Sequence, residues 1–120
     1  MSIYYPTITE QVKALPLFLS AAGLFFEETN ISRQHGYSDY QWILTVSGHG
    51  EISIGDETFH VDSNVGIFIP AHIPHSYKKI SSNWITHWIT FNGQHIDQIL
   101  QTINLSTIEI IFLKYVRYIS

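Results

Sequence analysis

Short apolar runs broken by turn residues about every ten positions constrain this chain more than any other feature. From Tyr40 to Val46 the residues alternate: Tyr40, Trp42, Leu44 and Val46 share one face, and Gln41, Ile43 and Thr45 the other. The first set reads as core or as a dimer face. Gly48-His49-Gly50 ends that strand, and Glu51 to Ile54 resumes it. Gly55-Asp56 then reads as a two-residue hairpin turn that returns through Thr58 to Val61. Asp62-Ser63-Asn64 is a further turn, with Asn64 suited to the left-handed conformation. Gly66 to Ile69 reads as a short buried strand stopped by Pro70, and Tyr77 to Ile80 and Ile85 to Phe91 complete the series. Such a series predicts an antiparallel sandwich or barrel.

The flanks differ. Residues 1–16 contain Pro6 and Pro16 and hold no period, so they read as an arm. Leu17 to Thr29 reads as two short strands broken at Gly23. After Gly93 the period changes, and Ile96, Ile99, Leu100 and Ile103 take helical spacing. Ser106 with Glu109 resembles a capping box, ahead of a second apolar helical pattern through Ile108, Ile111, Phe112, Tyr115, Val116 and Ile119. The β-branched content there leaves a strand as the alternative. The expected organisation is an arm over 1–16, a β-barrel over 17–93 and a helical dimerisation segment over 94–120. A small β domain cannot bury such a pair alone, which makes a homodimer its natural outlet.

A length of 120 residues suits one domain, and 45% hydrophobic against 13% charged residues excludes a disordered tail. A net charge of −4, with six scattered basic residues, argues against direct nucleic-acid binding. Cysteine is absent, which removes disulfides and thiolate metal sites. The start lacks the pattern of a signal peptide, and no run is apolar enough for a membrane span. The expectation is a soluble cytoplasmic protein with no membrane partner.

Two segments resemble the paired motifs of the cupin superfamily. His35-Gly36-Tyr37 through Gln41 to Gly48 keeps the spacing of the first, with Tyr37 in place of a His and Gln41 in place of the Glu. Asn64, then Pro70-Ala71-His72-Ile73-Pro74-His75, keeps the spacing of the second, with Asn64 and His72 at its two glycine positions and Lys79 at its Asn. Only His35 and His75 remain at ligand positions, a poor first shell for a transition metal. No metal or other cofactor is expected.

A narrower family accounts for these substitutions. Ile31-Ser32-Arg33 before His35, Asp39-Tyr40-Gln41-Trp42 leading to Val46-Ser47-Gly48, Phe68-Ile69-Pro70 leading to Pro74-His75-Ser76-Tyr77, and Trp84 to Gly93 follow one another in order. Together they resemble the N-terminal domain of AraC-type (arabinose-regulator-like) transcription factors, over about Leu15 to Gly93. The resemblance implies a mostly β cupin barrel, a double-stranded β-helix of jelly-roll type, followed by one or two C-terminal α-helices that make a homodimer. It also implies a small-molecule effector, often a carbohydrate, and an arm around Pro6 and Thr7 that folds over it. A DNA-binding domain with two helix-turn-helix motifs follows in that family, and it is expected to be absent from this chain.

The candidate ligand-binding residues are Arg33, His35, His75, Tyr77 and Trp88. A guanidinium beside a barrel strand suits hydroxyls or a carboxylate, and it matches the family's ligand-contacting Arg. Tyr77 and Trp88 offer faces for a sugar ring and polar edges. His75 is expected inside the barrel, and His35 beside the same site. Alternation sets His87 away from Trp88 and makes Thr86 and Thr90 its neighbours. His72 is expected exposed between its prolines, and His49, His60 and His95 on the surface. No catalytic residue is expected. The alternatives are a stand-alone metal-dependent cupin enzyme (isomerase, dioxygenase or epimerase) using His35, His72 and His75, and a dimerisation module whose barrel is filled by its own side chains.

Overall fold

Alternation and turn chemistry build two antiparallel layers. The structure is a computed structural model that describes residues 1–105 and, through the backbone, 109–112. In chain order the elements are β1 (Ser2–Tyr4), α1 (Glu10–Lys13), β2 (Phe18–Glu27), β3 (Ile31–Arg33), β4 (Tyr40–Ser47) and β5 (Gly50–Ile54). Then follow β6 (Glu57–Val61), β7 (Val65–Ile69), β8 (His75–Lys79), β9 (Ile85–Asn92), α2 (Ile96–Thr102) and β10 (Glu109–Phe112). One sheet has the order β1-β2-β9-β4-β7-β10 and the other β3-β8-β5-β6. No described helix is long and apolar enough to cross a membrane.

The inner faces of the sheets meet in a core of Ile43, Ile52, Ile54, Val61, Ile67 and Ile69, among others. Trp84, fully buried, joins it and satisfies its indole N–H on Thr45 Oγ1 at 3.1 Å. β7 is buried along its whole length because both of its faces are covered. Ile67 points between the sheets, while Phe68 packs outside with Tyr40, Trp42, Phe91 and α2 residues Ile96 and Leu100.

This second cluster revises the reading of β4. Gln41, Ile43 and Thr45, the mixed face, are the buried ones, and they lie toward the smaller sheet. Tyr40 and Trp42, the more apolar face, are covered on the outside by the second cluster. Amphipathicity alone cannot rank two faces when both are covered.

The turns form where the turn residues stand. Gly55 has φ +60° in the two-residue link between β5 and β6, and Asn64 has φ +68°. His72 has φ +63°, so the two residues at cupin glycine positions both adopt the left-handed conformation that glycine favours. The expected break at Gly23 is instead an irregularity inside one strand, β2, with a register shift between Gly23 and Phe26 against β9. Phe25 sits there at φ +49°.

The ends differ from the expectation. The arm is partly regular: β1 pairs antiparallel with β2, and α1 is capped by Thr9, whose Oγ1 accepts from Val12 N–H at 3.2 Å. The first C-terminal helix is present as α2. The second, expected from Ser106, is not helical over Glu109–Phe112, which pairs with β7 as a strand. The free edge of β7 supplies backbone partners that an isolated helical pattern does not reveal. The rest of that predicted helix, residues 106–108 and 113–120, lies outside the described residues.

Candidate functional site

Between the sheets lies a cavity of about 220 Å³. It is smaller than the roughly 300–1,000 Å³ typical of drug-sized ligands and so is scaled to a small metabolite. Strand alternation sends Gln41 and Ile43 of β4, and Trp88 and Thr90 of β9, into it from the larger sheet. Ile31 and Arg33 of β3 and Tyr77 of β8 face them from the smaller one. Glu28 just after β2, Tyr37 in the β3–β4 loop and Tyr5 just after β1 complete the polar part of its wall.

Arg33 is held firmly. Its register partner across β3 and β8 is His75. Its Nη1 donates to His75 Nε2 at 2.9 Å and to the Tyr77 hydroxyl at 3.0 Å. The guanidinium also lies 5.2 Å from the ring centres of both Tyr37 and Tyr77, within cation–π range. Tyr37 is placed by a backbone bond from His72 N–H to Tyr37 O at 2.8 Å, which ties its loop to the β7–β8 loop. His75 Nδ1 faces Ile73 O at 2.8 Å, so Nδ1 carries the proton and Nε2 presents its lone pair to Arg33. Burial lowers the proton affinity of His75, and the Arg33 charge lowers it further, against the Ile73 carbonyl, which raises it.

Tyr77 receives a second donor, Gln41 Nε2 at 3.2 Å. Its phenol is pushed above its ordinary value chiefly by burial, so the hydroxyl keeps a proton of its own to donate. Gln41 Oε1 is buried and has no partner. Rotating the amide would pair Oε1 with Tyr77 and strand Nε2 instead, so one polar atom of Gln41 is left unmatched either way. A buried amide atom without a partner costs stability and is satisfied when a ligand supplies the matching group.

Glu28 lies nearby and is only 3% exposed. Its backbone N–H donates to Trp84 O at 2.8 Å, and its Oε2 accepts from Thr86 Oγ1 at 2.6 Å. Desolvation raises its proton affinity, opposed by the Thr86 hydrogen bond and the Arg33 charge.

Of the residues singled out from the sequence, Arg33, Tyr77 and Trp88 line the cavity. His75 is buried behind Arg33 and Tyr77, bonded to the first and stacked on the second, and does not itself line the cavity. His35 is exposed and does not line the cavity, which corrects its expected place beside the site. It lies beyond the end of β3, where the chain has left the sheet. His72, His49, His60 and His95 are exposed as expected. His87 turns outward, accepting from Phe25 N–H through Nδ1 at 3.0 Å, while Thr86 and Thr90 point inward with Trp88. Glu28, Tyr5 and Phe26 were not singled out. The only local signal for Glu28 is an acid in an apolar stretch, since its burial comes from Thr86 and Trp84 far along the chain.

These residues do not suit the metal centre that cupin motifs imply elsewhere. The one buried imidazole commits its free lone pair to a guanidinium, and a metal ion there would meet that cation. Among the described residues no three His, Cys, Asp or Glu side chains gather closely enough to hold an ion.

Two antiparallel sheets around one polar cavity define a cupin-type binding barrel. A family model described as the AraC-like ligand binding domain matches residues 22–118, and the chain belongs to that family. No curated protein matches it. Among solved structures it is similar to the plu4264 protein of Photorhabdus luminescens, with 20% identity, a TM-score of 0.54, and coverage of 85% of this chain and 82% of that one. It is also similar to ToxT of Vibrio cholerae, with 13% identity and a TM-score of 0.53 over 86% of this chain. The match takes in 44% of ToxT, so this chain spans less than half of that protein. A cupin superfamily protein of Desulfitobacterium hafniense matches at 13% identity and a TM-score of 0.48 over 74% of each chain. At these identities the first two likenesses establish the fold alone.

Proposed function

We propose that this domain binds a small polar effector, a carbohydrate in the first instance, and passes its occupancy to a DNA-binding domain of the same regulator. The observation that carries this reading is the Arg33–Tyr77–Gln41 cluster, preorganised in the cavity beside Trp88 with one amide atom unmatched. Such a site offers both donors and acceptors to hydroxyl groups and an indole to a sugar face. His75 sets the guanidinium and does not itself reach the ligand. The role is one of binding, because the buried imidazole is engaged by Arg33 and is not free to serve as a base or ligand.

Tyr5 lines the cavity while remaining 71% exposed, so the arm can answer occupancy directly. Coupling to DNA binding requires the effector to prefer one arrangement of arm or dimer. Pairing of two copies would use the outer apolar face beside α2, where Leu17, Leu19, Ile89, Ile99 and Ile103 flank a groove.

Thermal unfolding against neutral mono- and disaccharides and sugar phosphates, with and without chelator, tests the reading. A ligand at 100 times its dissociation constant adds about 2.7 kcal/mol to the folded state. The expected result is a chelator-resistant shift that is lost in Arg33→Ala. A shift that needs a divalent metal and ignores sugars would overturn it in favour of a metal-dependent enzyme.

A further inference from the structure

We propose that Glu28 sets the charge of the effector: its carboxyl, walled into the same cavity as Arg33 without pairing to it, admits neutral polyhydroxyl molecules and turns away carboxylated and phosphorylated sugars. This deepens the carbohydrate reading and rests on it.

The two charges of the cavity are kept apart. Glu28 and Arg33 both line the cavity and feel each other's field, yet no ion pair joins them among the described residues. Opposite charges placed together only for structure gain most by closing to contact, where attraction is strongest. Here each is held away by its own partners. Thr86 holds the Glu28 carboxyl and the Trp84 carbonyl its backbone N–H, while His75, Tyr77 and Tyr37 hold Arg33. The space between them is ligand space.

The remaining titratable groups at the cavity are the phenols of Tyr5, Tyr37 and Tyr77, and His75 stands neutral behind Arg33. With Glu28 ionised, the one negative charge on the wall offsets the one positive charge. A neutral polyol then donates to Glu28 and accepts from Arg33 and Tyr77, and its hydroxyls also serve the unmatched atom of Gln41. An anion drawn to Arg33 would have to share about 220 Å³ with the Glu28 carboxylate. Glu28 is itself buried, so water screens its charge poorly and a like charge beside it is repelled. The one escape is a proton on Glu28, whose burial makes it readier to take one. Exclusion of anions therefore relaxes as pH falls.

Isothermal titration of the 120-residue protein at pH 7.5 tests this with D-glucose, D-galactose, D-xylose and myo-inositol against D-glucuronate, D-galacturonate and D-glucose 6-phosphate. Wild type is expected to bind a neutral member at least about tenfold more tightly than its anionic counterpart. Glu28→Gln keeps an acceptor and removes the charge, so the ratio should fall to within about threefold, mostly by gain of the anion. Thr86→Val strips a hydrogen bond from the Glu28 carboxylate. It should move the pH at which D-glucuronate begins to bind upward, which keeps the idea testable if Glu28→Gln folds poorly. Equal binding of hexose and uronate by wild type, with no change in Glu28→Gln and no movement in Thr86→Val, overturns the charge filter and leaves the carbohydrate reading standing. Silence from every probe with all three proteins overturns both.

Discussion

At His75 the neighbouring backbone decides which nitrogen carries the proton, and Arg33 makes use of the other. The Ile73 carbonyl takes the Nδ1 proton and leaves Nε2 as an acceptor for the guanidinium, so a second proton on the ring would break that bond and set two cations face to face. Burial first, and the Arg33 charge with it, hold His75 below its ordinary value of 6.5 in the folded state, against the Ile73 carbonyl. Below that pH the unfolded chain binds more protons than the folded one, so stability falls as pH drops from 6.5 toward the folded value and is complete above it. Unfolding free energy from denaturant titrations should lose up to about 1.4 kcal/mol per pH unit in that window through this one group. His75→Gln, which takes up no proton there, should flatten that component. An unchanged slope would mean that the ring is not neutral in the fold. Asn64 was legible as a left-handed turn residue and takes φ +68°, whereas the φ of +63° at His72 was not foreseen.

Strands meet closely here because each tryptophan lies against a glycine on a neighbouring segment. Trp88 covers Gly23, Trp42 covers Gly66 and Trp84 covers Gly50, and a methyl group at any of the three would run into the indole. At Gly23 the consequence is functional as well as structural, because Trp88 is both its cross-strand partner and a wall of the cavity. Gly23→Ala is expected to cost about 1–3 kcal/mol by overpacking. It should also weaken any ligand that protects the wild type in thermal unfolding. A variant with wild-type stability and binding would show that the indole can move aside freely. The sequence marks Gly23 as a break in a strand. It does not show that the break is room for an indole 65 positions later, because the register of β2 on β9 is a long-range pairing.

Over the whole molecule, the apolar face beside α2 is exposed among the described residues. Leu17, Leu19 and Ile103 are 49%, 39% and 56% exposed around the groove beside α2. A face of this kind suits a partner of similar character. If two copies pair there, as proposed, Ile103→Asp places a charge in the contact. Sedimentation velocity should then show wild type as a dimer and the variant as a monomer. The variant should keep its fold, since an exposed side chain contributes little to the core, and lose only the concentration-dependent part of its unfolding midpoint. A variant that still sediments as a dimer would place the contact elsewhere. The helical spacing of α2 was legible from Ile96, Ile99, Leu100 and Ile103. The strand at Glu109–Phe112 stood in the sequence only as the alternative to a helix, because the edge of β7 that receives it is more than forty residues away.

The sequence by itself determined what is local: most of the strands from Tyr40 to Phe91, the turns at Gly55 and Asn64, that Thr86, Trp88 and Thr90 share a face, and that α2 is amphipathic. Motif order also pointed to the family and to Arg33, Tyr77 and Trp88. Tertiary structure alone decided which face of β4 is interior, that His35 lies outside the cavity, that His75 supports Arg33, and that Glu28 is a buried acid within it. The division has a physical cause. Periodicity and turn chemistry are set by neighbours a few residues apart, whereas the burial of a polar group and the proton it carries depend on partners brought together by the sheets.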